Sequence, residues 1–143
     1  MEFELLRMYA FTAIVLAIKM ASIAIVQGRA RTGEGHFLNP EDAATFGGTA
    51  VLQEPEMVQR ASRAWRNDLE NIPMFLILAW IYVAAGLSAT AFSIYCIVFV
   101  VARIVHTICY IRAIQPWRTA AFIAGAIAML ALIIHLFIGV VLA

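Results

Sequence analysis

Four apolar stretches leave this chain few ways to fold. They cover about Met8–Gln27, Ile72–Leu87, Phe92–Ile111 and Thr119–Leu142, the second as the end of a longer helix that starts near Pro55. Crossing hydrocarbon takes about 20 helical residues, and a helix satisfies its backbone polar groups without water. The chain has 143 residues, 64% of them hydrophobic and 13% charged. A soluble core of that size could not bury so much apolar side chain. The expected fold is therefore all-α: an integral membrane four-helix bundle with up-down topology, forming one domain over residues 1–143. The chain opens Met-Glu-Phe-Glu, with no basic leader and no small-residue cleavage site, so the first stretch is expected to stay as a span.

Helix punctuation marks the boundaries. Gly28 suits a C-cap after the first span. Glu54-Pro55-Glu56 opens the second helix with a proline where a missing N–H costs nothing, and with acid near the positive helix end. Gly86-Leu-Ser88 and Gln115-Pro116-Trp117 make short turns, and Trp117 suits an interfacial belt. Pro73 should free the carbonyl of Leu69 and kink its helix. The first connection, about Gly28–Glu54, is long enough to be functional or disordered; its aromatic residues Phe37 and Phe46 favour order.

Cations gather on one side. Arg29, Arg31, Arg60, Arg63 and Arg66 lie on the side of the first connection, and Arg112 and Arg118 on that of the third. The opposite side holds only Arg7. By the positive-inside rule the first and third connections face the cytoplasm.

Two polar stripes run toward that side. Arg63, Arg66, Asn67 and Glu70 fall at i, i+3, i+4 and i+7, one helical face that Arg60 extends. Arg103, His106 and Tyr110 make a second face on the third span. Antiparallel neighbours joined by a tight turn bring both stripes to one polar cleft. Glu70 could neutralise Arg66 or Arg103 as an internal ion pair. Even so, Arg63, Arg66 and Arg103 outnumber Glu70, and Arg118 adds another cation; surplus buried cation favours an external anion. Arginine can hold carboxylates bidentately, glutamate an ammonium, and asparagine and tyrosine amides. The set suits a small zwitterion with several carboxylates.

Other readings are weaker. His36 and His135 lie too far from His106 to suggest a metal site, so none is expected. Cys96 and Cys109, thirteen residues apart on one helix and so about 20 Å distant, read as packing thiols. His135 reads as a packing residue, and Lys19 as one that pairs or snorkels. Nucleic acid is not an expected partner.

The sequences Arg63-Ala-Trp-Arg66-Asn67-Asp68-Leu-Glu70-Asn71, Arg103-Ile-Val-His106-Thr-Ile-Cys-Tyr110 and Pro116-Trp-Arg118-Thr119 resemble the MAPEG family, the membrane-associated proteins in eicosanoid and glutathione metabolism. Lys19-Met20 and Asn39-Pro-Glu-Asp42 fit as well, so the likeness runs from about Lys19 to Phe122. It is strongest to the microsomal glutathione transferase and prostaglandin E synthase branch. The resemblance implies a homotrimer in the endoplasmic reticulum or a bacterial inner membrane, with glutathione bound between subunits near the cytoplasmic face. Carried over by position, Arg66, Asn67, Glu70, His106, Tyr110 and Phe122 line the glutathione site, and Arg31 reaches in from a neighbour. Arg118 faces the sulfur with Thr119 beside it, and Asp42 matches a loop acid implicated in catalysis. Three positions depart from the pattern: Trp65 stands where relatives often have His, Phe122 where the prostaglandin synthase has Tyr, and Thr119 where it has Ser.

The expected activity is that of a glutathione transferase or peroxidase acting on apolar electrophiles, lipids among them. The alternatives are a prostaglandin-E-synthase-type endoperoxide isomerase and a non-catalytic lipid-binding scaffold.

Overall fold

A computed structural model describes residues 2–142. Its elements run α1 (Glu2–Glu34), β1 (His36–Phe37), α2 (Pro40–Phe46), β2 (Thr49–Ala50), α3 (Glu56–Ala84), α4 (Ala89–Ile111) and α5 (Trp117–Leu136), followed by a π-helical turn over Phe137–Val141. The four long helices form the bundle. Helix α4 is its hub and packs against α1, α3 and α5.

Among the described residues, Phe3–Glu34, Ala89–Ile111 and Trp117–Val141 are long and apolar enough to cross a membrane. Helix α3 falls short because its first half carries the charged run. It is one continuous helix through Pro73 and ends at Ala84, so Ala85–Leu87 belong to the turn rather than to a span. Gly86 makes that turn with φ of +63°, a conformation glycine adopts without steric cost. Ser88 then caps α4, its Oγ accepting from Ala91 N at 3.4 Å.

The first connection differs from expectation in two ways. Gly28 does not end α1, which continues to Glu34. Arg29–Glu34 are mostly good helix formers, and Thr32 Oγ1 donates back to Gly28 O at 3.0 Å. Gly35, with φ of +63°, takes the terminating role instead. Beyond Gly35 the connection is not purely helical either, because β1 and β2 pair in parallel around α2. Phe37 is buried and stacks on Phe46 with ring centroids 5.7 Å apart, which supplies the order anticipated from these aromatics. Gly48 is obligatory here: a Cβ would lie 2.3 Å from Gly35 O and 2.5 Å from the Phe37 ring.

The bundle core is aromatic. Phe75 of α3 stacks on Phe99 of α4 at 3.8 Å between centroids, and Tyr82 stacks on Phe92 at 5.0 Å. Large apolar side chains such as Ile18, Ile77, Val101 and Ile127 point outward, as suits helices bathed in lipid. Both cysteines are buried and unpaired. His135 packs as expected, with Nδ1 within 3.1 Å of the Tyr82 hydroxyl and 3.2 Å of that of Tyr95.

Lys19, Asp68 and Arg103 bring charge into this apolar interior. Asp68 lies on the buried stripe Ala61, Ala64, Asp68, Ile72, Phe75 of α3. Its Oδ2 accepts from Lys19 Nζ of α1, and its Oδ1 faces Arg103 Nε of α4 at 3.9 Å. All three side chains are buried. One acid thus serves two cations and ties three helices together. Removing one partner from a buried ion group costs about 3–5 kcal/mol. Asp68→Ala is expected to destabilise the bundle by about that much, and Lys19→Met by less because Asp68 keeps Arg103. Thermal unfolding in detergent micelles checks the order; equal losses for the two variants would count against a shared acid.

Candidate functional site

The two polar stripes meet. Because α3 and α4 are antiparallel across the Gly86 turn, the first half of α3 lies beside the last half of α4. The short turn at Gln115-Pro116, whose peptide bond is cis, returns the start of α5 to the same end. Arg103 Nη2 donates to Asn67 Oδ1 at 2.7 Å and joins the stripes directly. The Arg103 guanidinium also sits 5.9 Å from the centroid of the Phe122 ring on α5.

A chain of rings continues from there. His106 lies 6.0 Å from Phe122 and 5.5 Å from Tyr110, centroid to centroid. The Arg118 guanidinium stands over the Tyr110 ring at 4.7 Å, within cation–π range. Arginine has donors only, so the Gln115 amide oxygen must face it. In that orientation Gln115 accepts from Arg118 Nη2 at 2.6 Å and Nε at 3.1 Å, while its nitrogen donates to Thr119 Oγ1 at 3.2 Å. Arg118 is thereby aimed without being neutralised. It also sits in the first turn of α5, where the helix dipole favours negative charge.

Asn67, His106, Tyr110, Arg118, Thr119 and Phe122 therefore belong to one contiguous cluster. Arg66 and Glu70 do not touch it within one chain; both are exposed on the adjoining face of α3. Glu70 neutralises neither Arg66 nor Arg103. The acid beside Arg103 is Asp68, one position outside the polar stripe. Arg31 is tied to Glu54 by a 2.6 Å hydrogen bond from Nε. Asp42 accepts from Asn39 Nδ2 at 3.0 Å inside α2, an element that packs on β1 and β2.

Charge balance sharpens the picture. Arg60 pairs with Glu56, whose carboxyl the Arg60 hydrogen bond holds below its ordinary value. Among the described residues, no carboxylate pairs with Arg63, Arg66, Arg112 or Arg118. The rim of the bundle thus carries guanidinium groups that the chain's own acids leave unmatched. Several buried polar atoms of the same region also make no hydrogen bond among the described residues, Asp68 Oδ1, Arg103 Nε, His106 Nδ1 and Thr107 Oγ1 among them. No group of His, Cys, Asp or Glu among the described residues could hold a metal ion.

Sequence reasoning missed Asp68 and Gln115. Asp68 was detectable as an acid on an apolar heptad-like stripe. Gln115 carried no signal beyond its place three residues before Arg118.

An apolar groove of about 420 Å³ runs between α4 and α5, with Ala102, Ala120, Ala121 and Ala124 among its lining and Trp117, next to Arg118, at one edge. A second groove of about 780 Å³ lies between the N-terminal halves of α1 and α4. Neither includes a residue of the polar cluster.

Comparison with known proteins identifies the family. Residues 9–138 match the model of the MAPEG family. The chain is 36% identical over 109 residues to prostaglandin E synthase of Equus caballus, covering 76% of this chain and 71% of that one. It is 33% identical over 123 residues to the synthase of Bos taurus, covering 85% and 80%. It is 36% identical over 130 residues to microsomal glutathione S-transferase 1 of Rattus norvegicus, covering 87% and 84%. A match over nearly the whole bundle, through every helix that builds the polar cluster, makes this chain a member of the MAPEG family.

Proposed function

We propose that this protein is a membrane-embedded, glutathione-dependent transferase or peroxidase that stabilises the glutathione thiolate for attack on apolar electrophiles. The observation that carries the reading is Arg118: a guanidinium with no acid partner among the described residues, held by Gln115 and the Tyr110 ring at a helix N-terminus. A thiol is a weak nucleophile until it loses its proton. Arg118 would pair with the sulfur anion and so lower the thiol pKa, with the Thr119 hydroxyl available as a hydrogen-bond donor. A two-unit drop corresponds to about 2.7 kcal/mol of preference for the thiolate. Attack at carbon then forms a C–S bond with release of the leaving group. Attack at a peroxide oxygen forms an S–O bond as the O–O bond breaks: an alkoxide leaves and takes up a proton, the sulfur is oxidised to a sulfenic acid, and a second glutathione thiol converts that to disulfide and water.

The rest of the site obeys the same logic. Arg66 supplies a free guanidinium for a carboxylate, and Glu70 a free carboxylate for the ammonium. Both project from the exposed side of α3, so a cleft closed by a neighbouring copy, as in a homotrimer, would complete the site. Arg31 would reach that cleft from the neighbour only by exchanging Glu54 for the ligand. The apolar α4/α5 groove beside Trp117 offers the electrophile a route from the lipid. The distribution of unmatched arginine supports a cytoplasmic orientation for this end of the bundle, in the endoplasmic reticulum or a bacterial inner membrane.

A second reading, a prostaglandin-E-synthase-type isomerase, draws on the 36% identity to that enzyme and on the family resemblance at Asp42, Arg118 and the Thr119 hydroxyl. Conjugation of a dinitrobenzene electrophile, measured against isomerisation of an endoperoxide, separates the two.

Arg118→Ala should remove most of the thiolate absorbance of bound glutathione near neutral pH while leaving glutathione bound; an unchanged thiolate band takes Arg118 out of this role. Glu70→Ala should weaken glutathione binding about tenfold or more, the scale of a lost hydrogen bond to a charged group. Isothermal calorimetry returning the wild-type constant would remove Glu70 from the ammonium site.

A further inference from the structure

We infer that Arg103 is a positioning residue that turns Asn67 into a donor-only contact, so that Asn67 reads a carbonyl or carboxylate oxygen of the bound thiol peptide. The inference rests on the glutathione reading above and names what one of its contacts selects.

A carboxamide offers one oxygen that accepts and one nitrogen that donates, whereas a guanidinium only donates. The 2.7 Å contact between Arg103 Nη2 and the Asn67 side chain therefore fixes the amide: Oδ1 faces the arginine and Nδ2 occupies the opposite corner. The backbone carbonyl of Asn67 is also engaged, by Asn71 Nδ2 at 2.7 Å. Both oxygens of the residue are thus taken from inside the protein. Asn67 Nδ2 makes no hydrogen bond among the described residues, and the side chain is only half-buried, so its N–H groups are what a ligand meets.

Arg103 itself is 1% exposed and cannot be the contact. It is held from behind by Asp68 and flanked by the Phe122 ring. Lys19 on the same carboxylate leaves Arg103 only partly balanced, which strengthens its pull on the Asn67 oxygen. The order of influence runs from the buried acid to the arginine to the amide, and only the last of these touches ligand.

Asn67→Asp tests this because its two consequences have opposite signs. An aspartate keeps the shape, accepts more strongly from Arg103 and balances the surplus buried cation, but it has no N–H. The purified full-length chain in detergent micelles should therefore melt at the same temperature or higher, yet bind glutathione at least tenfold more weakly by calorimetry, with the kinetic loss falling on KM for glutathione rather than on kcat. Asn67→Leu, which lacks both groups, should share the affinity loss and melt lower, separating a missing donor from mere repulsion by an added charge. Wild-type affinity in Asn67→Asp, or a lower melting temperature for it, overturns the inference, and Asn67→Asp decides alone if the leucine variant does not assemble. If the wild-type protein itself binds no glutathione, the broader functional reading fails; if it binds while the Asp variant binds equally well, only the role of Asn67 fails.

Discussion

One carboxylate shared between two cations organises the interior of this bundle. Asp68 holds Lys19 from α1 and faces Arg103 from α4, in a core made mostly of aromatic and aliphatic side chains. Apolar contacts alone allow helices in lipid to slide and rotate, since the tails around them are as apolar as the partners. A buried ion group tolerates neither motion, because any displacement strands a charge. The register of α1, α3 and α4 is therefore set where the charges meet, and the stacked rings of Phe75 and Phe99 fill the space beside them.

The functional cluster grows outward from that point. Arg103 belongs at once to the ion group and to the site, since it holds Asn67 while its guanidinium sits against Phe122. From Phe122 the contacts pass to His106, Tyr110 and Arg118, each on a helix end returned to the same side by a short turn. Stability and chemistry are thus layered: one acid shared by two cations in the middle of the bundle, guanidinium groups without an acid partner among the described residues at its rim. Arg118, the arginine proposed to act on sulfur, is held by a neutral amide and a ring rather than by an acid, an arrangement that fixes its direction and preserves its charge.

Much of this was legible in the residues. Helical spacing brought Arg66, Asn67 and Glu70 onto one face and Arg103, His106 and Tyr110 onto another, and the Gly86 turn implied that these faces meet. The identity of the balancing acid was not legible that way. Attention to polar faces selects Glu70, which is exposed, and passes over Asp68, which stands alone among Ala64, Ile72 and Phe75. Lys19 on α1 obeys the same rule, falling in step with Leu16 and Ile23. A lone ionisable residue on an apolar stripe was the signal in both cases. The first connection was harder still. Gly28 looked like a stop, but local helix formers carried α1 past it. The pairing of His36–Phe37 with Thr49–Ala50 depends on contacts between residues far apart in sequence, which no short window records.

That small paired segment divides neighbouring positions sharply. At Gly48 the backbone of Gly35 and the Phe37 ring stand too near for any side chain, whereas Thr49 and Ala44 are exposed. A fluorophore or spin label meant to report on the aqueous edge of the bundle belongs on those neighbours. The same tag at residue 48 would wedge the two strands apart and report on its own damage.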